Sequence, residues 1–457
     1  MQLSHAAEIT RGVLQGDDHL FSGVSIDSRA LCDGDLFVAI AGEHYDGHDY
    51  VPMALDRGAS GAVVEHLVDS EISQLLVEDT TSALGALGQS WRQEFDIPVL
   101  AITGSNGKTT VTAMVREILS VCNCPLSPRE SFNNQWGVPL TLLKLNRHHT
   151  HAVIEMGMNH AGEIDYLSHL AAPTAVLINN AAEAHLQGLG SVEQVAAAKA
   201  EIINGLKPGG TVVLNADDPF VGFWKRRAGS YTVTTFGVNS EADVTAENIL
   251  LAPDSSRFGI RANGMTMDVT LPLPGVHNVS NALGAAVLTL STGIPLGDVC
   301  KGLAKVTAVK GRLRASTSLQ GAIVVDDSFN ANPASTAEAI KVLGGYAGTR
   351  VLVLGAMAEL GENGRALHKR VGELAVSAGV DRMLVLTDSA NPDVAGYLQG
   401  FGPTAESYSD VDRLVNALNT DNQAGTTILV KGSKSSRMGR VVQKLCEQDN
   451  KEEESSC

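Results

Sequence analysis

A chain of 457 residues is too long for one hydrophobic core, and its 44% apolar and 19% charged residues are those of an ordinary globular protein. A formal net charge of −17, with no run of lysine or arginine, argues against nucleic acid or an anionic membrane surface as the main partner. The six cysteines (Cys32, Cys122, Cys124, Cys300, Cys446, Cys457) are scattered as in a reduced cytosolic protein, and Cys122 with Cys124 lacks the second pair that would complete a metal site.

Residues 1–20 carry Glu8, Arg11, Asp17 and Asp18 within any apolar stretch, so no signal peptide is expected. Residues 1–84 alternate short β-like runs (SGVSID, DLFVAI, GAVVEH, QLLVED) with polar turns and read as a small mixed α/β domain. From 85 to 313 the apolar strands PVLAIT, HAVIEM, TAVLIN and GTVVLN alternate with helical patterns near 108–120, 161–170 and 191–205. This predicts a mostly parallel, helix-covered sheet, followed by a β-rich stretch and a helix through Asn278–Leu290. The uncharged run Leu271–Gly297 is interrupted by Pro272, Pro274 and His277 and is too short in its apolar part to span a bilayer. Residues 314–457 repeat the pattern with AIVVDD, RVLVLG, RMLVLT and TTILVK and helices at 333–344, 365–378 and 410–419, a second doubly wound, Rossmann-like domain. The terminal KEEESSC reads as a solvated tail. Ligands of such sheets bind beyond the carboxyl ends of the strands, so two facing α/β domains imply a reaction cleft between them.

The segment AITGSNGKTT joins a buried strand to a helix through a glycine-bearing turn, Gly104 to Gly107 with Asn106 between. Such a turn aims backbone N–H groups at a phosphate; Lys108 would reach the β/γ-phosphates, the Thr109 hydroxyl would ligate Mg²⁺, and Thr110 follows. The usual GxxxxGK[ST] spacing is shortened here to GxxGKT. Glu155 ends the strand HAVIEM, where a phosphate-loop enzyme places a magnesium carboxylate. His185 follows the strand TAVLIN of the same sheet, although a lone histidine is most often structural. Lys199 lies among alanines in a helix and by spacing alone is a snorkelling surface residue. Asn278 and Asn281 fit a helix cap or an adenine edge equally well. Arg312 precedes the domain change and fits a salt bridge or a phosphate contact. Asp326 and Asp327 end a strand, where they suit a ribose, Mg²⁺ or a helix N-terminus; Lys431 ends another, where a flexible cation could meet an anionic substrate. His148, His149 and His151 read as a solvated loop.

Taken together, DSRALCDGDLFVAIAGEHYDGHDY, TGSNGKTT, SFNNQWGVPLTLL, EMGMNHAGEI, NNAAEAHLQGLGS, AKAEI, LPGVHNVSNALGAA, GRLR, DDSFNANP, VLGAMAELG and VKGS resemble, in order and spacing, the Mur ligase family over nearly the whole chain. SFNNQWGVPLTLL and EMGMNHAGEI are most similar to the branch that adds D-alanyl-D-alanine to UDP-N-acetylmuramoyl-tripeptide. The resemblance implies an ATP-dependent amide ligase of three domains, acting in the cytoplasm as a monomer without membrane insertion. It implies two Mg²⁺ ions, one held by Thr109 and Glu155, the other by His185 and a carbamylated Lys199. Asn278 would meet adenine, Asp327 the ribose and Arg312 the phosphates, while Ser28, Arg29, Asn134 and Lys431 would contact substrate. Phe329 stands where the family more often has tyrosine, so no proton transfer is assigned there. Alternatives are a ligase adding the third residue, a folylpolyglutamate synthase or, in another class, a phosphate-loop switch ATPase; no NKxD guanine motif is present.

Overall fold

A computed structural model describes residues 1–42, 44–128, 131–387 and 391–446. The KEEESSC tail with Cys457 lies outside the described residues. Three sheets follow one another along the chain, as the alternation of strands and helices predicts. The first contains β1 (Val13–Gln15), β2 (Gly23–Ser25), β3 (Asp35–Val38), β4 (Gly61–Val64) and β5 (Gln74–Leu76) in the order β1-β5-β4-β3-β2. It is parallel except for β1.

The second contains β6 (Val99–Thr103), β7 (Pro125–Leu126), β8 (His151–Glu155), β9 (Ala175–Ile178), β10 (Thr211–Asn215), β11 (Thr232–Gly237), β12 (Val244–Leu251), β13 (Ser256–Ala262) and β14 (Met265–Leu271). Its order is β14-β13-β12-β11-β10-β9-β6-β8-β7. Strands β7 to β12 run parallel and β13 and β14 close the edge antiparallel, the β-rich stretch of the sequence. The third contains β15 (Arg314–Thr317), β16 (Ile323–Asp327), β17 (Thr349–Leu354), β18 (Arg382–Leu386), β19 (Glu406–Tyr408) and β20 (Thr426–Lys431), ordered β15-β16-β20-β17-β18-β19.

Local chemistry sets the elements around the central cleft. All five residues of β6 are buried, as an apolar run covered on both faces requires. The chain then turns through Gly107, whose φ of +82° favours glycine. An added Cβ there would meet Asn281 Oδ1 at 2.3 Å. The Lys108–Leu119 helix follows and buries Val111, Met114, Val115 and Ile118, one face at helical spacing. On the opposite side, Asn332 caps the Pro333–Gly344 helix in a capping box with Ser335, and Pro333 occupies the first turn.

The Thr80–Gln93 helix belongs to two domains at once, since residue 84 lies within it. Ala83, Leu84 and Leu87 complete the first domain's core, which also takes in Trp136, Leu140 and Leu143 of the second. Two short helices of the first domain, Leu3–Thr10 and Val51–Asp56, carry little periodic signal and were not predicted. His151 differs from expectation: it is the first residue of β8 and buried, because the strand begins one residue after the loop of His148 and His149. Among the described residues, no helix is long and apolar enough to cross a membrane.

Candidate active site

The phosphate loop is held from below by asparagines. Asn106 donates its backbone N–H to Asn180 Oδ1 (2.8 Å), and its carbonyl accepts from Asn179 Nδ2 (3.0 Å) and Asn180 Nδ2 (3.1 Å). Lys108 folds back so that Nζ donates to Gly104 O at 2.7 Å. Burial pushes this ammonium's pKa down, and the nearby Glu155 partly opposes that.

Glu155 is 1% exposed at the end of β8. Its Oε1 accepts from Asn133 Nδ2 (2.7 Å) and from Thr109 Oγ1 (3.3 Å), while Oε2 has no partner. An unpaired carboxylate oxygen beside a threonine hydroxyl, under a loop built for phosphate, is a donor set for a hard divalent cation completed by phosphate oxygens. Among the described residues no three of histidine, cysteine, aspartate and glutamate cluster as an all-protein metal cage.

Lys199 corrects the reading from spacing. It is 1% exposed, and the alanine-lined face of the Val192–Ala200 helix is a buried face, too small-featured to show its orientation in sequence. Desolvation, then the like charge of Lys108, hold its pKa well below the usual lysine range. His185 caps the short Leu186–Leu189 helix at φ +57°, and its Nδ1 meets Glu359 Oε2 of the third domain at 2.6 Å.

Between the second and third domains lies a cavity of about 390 Å³ lined by Gly107, Thr110, Asn278, Arg312, Asp327 and Lys431 among others. Asn278 is the third residue of its helix rather than the cap, which is Gly275. Its amide donates to Pro274 O (2.8 Å) and accepts from Asn281 (3.1 Å), which in turn accepts from Asn179 (2.9 Å). One asparagine network therefore joins this cavity to the phosphate loop. Lys431 is not flexible: it is 2% exposed, and its Nζ is bound to Asp327 Oδ2 (2.5 Å) and Asn330 O (2.9 Å). No salt bridge forms at Arg312 among the described residues; the guanidinium lies 4.2 Å over the Phe329 ring and 3.5 Å from Thr109 Oγ1.

A larger cavity of about 980 Å³ continues from there past Lys108, Glu155 and His185 to Glu359 and Lys434, with His44 of the first domain on its wall. Asn134 does not enter it: its side chain caps its own loop on Trp136 N and Gly137 N, and its neighbour Asn133 is the residue that reaches Glu155. Ser28 is buried, and Arg29 forms a bidentate pair with Asp27 (2.9 Å for both contacts); neither lines this cavity. Sequence reading missed Asn133, Ser131, Asn179, Asn180 and Glu359. The doubled asparagines of SFNNQWG and TAVLINN and the glutamate of GAMAELG were the available signals.

Comparison with known proteins agrees with this layout. Family models described as Mur ligase family catalytic domain, Mur ligase middle domain and Mur ligase glutamate ligase domain match residues 20–87, 102–289 and 311–434. The chain is 42% identical to UDP-N-acetylmuramoyl-tripeptide–D-alanyl-D-alanine ligase of Escherichia coli (strain K12), over 97% of this chain and 98% of that one. The crystal structure I of MurF from Acinetobacter baumannii superposes with a TM-score of 0.89 at 32% identity, covering 97% and 98% of the two chains. MurF ligase from Thermotoga maritima, solved in complex with ADP, gives 0.80 at 25% identity over 92% and 96%. With three domain models in order, near-complete coverage and a phosphate loop facing a third domain, the chain belongs to the Mur ligase family.

Proposed function

We propose that this enzyme joins D-alanyl-D-alanine to the terminal carboxylate of UDP-N-acetylmuramoyl-tripeptide with hydrolysis of ATP, giving the pentapeptide precursor of peptidoglycan. One observation carries the reading beyond family membership. A single cavity is lined by Lys108 and Glu155 of the second domain, Glu359 and Lys434 of the third and His44 of the first. It thus meets the phosphate loop and both neighbouring domains, as a three-substrate ligation needs. A relative named UDP-N-acetylmuramoyl-tripeptide–D-alanyl-D-alanine ligase, matched nearly end to end, favours this over a third-residue ligase or a folylpolyglutamate synthase.

A carboxylate is a poor electrophile, and transfer of the γ-phosphoryl group makes it an acyl phosphate that the acceptor amine can attack. The buried cavity of Asn278, Asp327 and Lys431 receives the nucleoside, and the Asn106–Thr109 turn receives its phosphates. Lys108 exchanges its contact with Gly104 O for the β/γ-phosphates, and Arg312 faces the same charge from the domain junction. Thr109 and Glu155 would hold one Mg²⁺, consistent with the unpaired Oε2. His185 and Lys199 would hold the second. The depressed pKa of Lys199 supports carbamylation: the neutral amine adds to CO₂, forming an N–C bond and losing a proton, and a buried neutral amine would become an anionic ligand. Bound Mg²⁺ neutralises charge on the transferring phosphoryl group. Walls from three domains would limit the water that could hydrolyse the acyl phosphate.

Phosphate release is measured with ATP, Mg²⁺ and the nucleotide tripeptide, with and without D-alanyl-D-alanine. Release that requires both, with a pentapeptide product by mass, is the expected result; release with neither overturns the ligase reading. Lys108→Ala should lower the rate by about 10²–10³-fold, the effect of removing one preorganised charge donor.

A further inference from the structure

The cleft between the second and third domains contains a pair of residues in an uncommon backbone conformation that face each other. His185 has φ +57° and Glu359 has φ +61°, both in the left-handed region, and neither is glycine. Such residues are strained and persist where surrounding structure fixes them. Here two contacts do so: Nδ1 of His185 meets Oε2 of Glu359 at 2.6 Å, and Gln187 N donates to Glu359 O at 3.1 Å. Both residues line the cavity that holds Lys108 and Glu155. The loop of Glu359 is itself braced, because buried His368 accepts from Met357 N at 3.0 Å and contacts Gly364 O at 2.7 Å.

We propose that Glu359 is a positioning residue for His185. Accepting from Nδ1–H, it fixes the ring's orientation and, in the neutral ring, directs the proton to Nδ1. Nε2, which has no protein hydrogen-bond partner among the described residues, then presents its lone pair to the cavity only while the third domain is docked. A carboxylate oriented this way on the far nitrogen is the usual support of a metal-binding histidine. The role of His185 toward Mg²⁺ rests on the ligase reading above; the tautomer does not.

The test uses the full chain with ¹⁵N-labelled histidine, without ATP or Mg²⁺. In the parent protein, the His185 ring should show Nδ1–H and unprotonated Nε2 by two-bond ¹⁵N–¹H correlation, assigned through the His185→Gln spectrum. Glu359→Gly removes the carboxylate and relieves the positive φ, so the fold is kept; its His185 should revert to the Nε2–H form or a mixture. Glu359→Gln retains an acceptor oxygen and should restore the Nδ1–H form. In ligation assays, Glu359→Gly should lower kcat about 10–100-fold with KM for ATP unchanged, and Glu359→Gln should recover most of it. An unchanged tautomer in Glu359→Gly overturns the proposal, as does a loss carried by KM for the dipeptide, which would make Glu359 an acceptor contact. If the parent protein ligates nothing while the tautomer shifts as expected, the positioning stands and the ligase reading fails.

Discussion

The second domain is joined to its two neighbours in opposite ways. Toward the first domain it shares a helix and a core: the Thr80–Gln93 helix completes one and packs on the other, with Trp91 Nε1 donating to Leu145 O (2.9 Å) and Trp136 Nε1 to Thr81 Oγ1 (3.0 Å). Buried Arg92 anchors the end of this shared helix to the second domain. Its guanidinium donates to Ala171 O (3.0 Å), Phe95 O (2.6 Å), Ile97 O (3.4 Å) and Ala172 O (3.5 Å). Toward the third domain the contacts are mostly polar and surround cavities: Asn332 Nδ2 to Asn106 Oδ1 (2.7 Å), His185 to Glu359, Glu183 to Arg370, and Arg312 over Phe329, with Leu186 packed on the third domain's core. One junction is a cemented wall. The other is a docking face whose free energy is spread over single hydrogen bonds and over whatever fills the space between, which suits a domain that must admit substrates.

The comparison predicts where a substitution shows itself. Arg92→Met should give the largest stability loss, about 3–5 kcal/mol, because four carbonyls around a buried guanidinium lose their donor together. Urea unfolding measures it, and kcat of the surviving folded enzyme should change little. A loss below about 1 kcal/mol would mean that water replaces the guanidinium and that the shared helix is not anchored through Arg92.

The third domain's own brace should come next and should depend on pH. Burial lowers the pKa of His368 below its ordinary 6.5, so the unfolded chain binds the proton more readily than the folded one. The ring's contribution is therefore fully present above about pH 6.5 and declines as pH falls toward the lowered folded value. His368→Ala should cost about 2–3 kcal/mol at pH 7.5, by leaving Met357 N–H unpaired and a void beside Tyr397, and less at pH 5. Equal losses at both pH values would contradict a neutral buried ring.

What could be read from the sequence follows the same division. The strand–turn–helix of residues 99–119 and the capped Pro333–Gly344 helix are local: period, glycine and cap lie within a few residues of what they specify. Lys199 could not be oriented, because alanine neighbours make a helix face without contrast and only the packed sheet shows which side is dry. Glu359 was invisible as a site residue for another reason. It acts on His185 across 174 positions, and nothing in GAMAELG states which domain it faces. The resemblance located the segment without its partner. Asn134 was chosen over Asn133 because adjacent asparagines are equivalent in a motif and opposite in a turn.

Asn332→Ser separates capping from docking. Serine keeps an N-cap oxygen for Ser335 N but is too short to reach Asn106 Oδ1, so stability should fall by less than about 1 kcal/mol. The ligation rate should fall about 3–10-fold, the equivalent of one net hydrogen bond at the loop. Loss of both in parallel would place Asn332 with the cemented elements.

The smallest effect belongs to Glu183 and Arg370, and it is the sharpest test of a docking face. Their side chains are 32% and 56% exposed, so solvent screens the pair and a double-mutant cycle on the free protein should give a coupling below about 1 kcal/mol. Glu183 lies two residues before His185, on the loop that Glu359 holds through Gln187 N, and Arg370 lies on the Gly364–Ser377 helix of the third domain. If the domains meet only through such weak contacts, the coupling should grow when ADP and the nucleotide tripeptide fill the cavities, because an ordered loop lowers the entropic cost of holding the pair together. Thermal unfolding of the four proteins with and without ligands measures this. A coupling that stays constant would mean the third domain is already fixed in place, and the polar junction would then be as rigid as the apolar one.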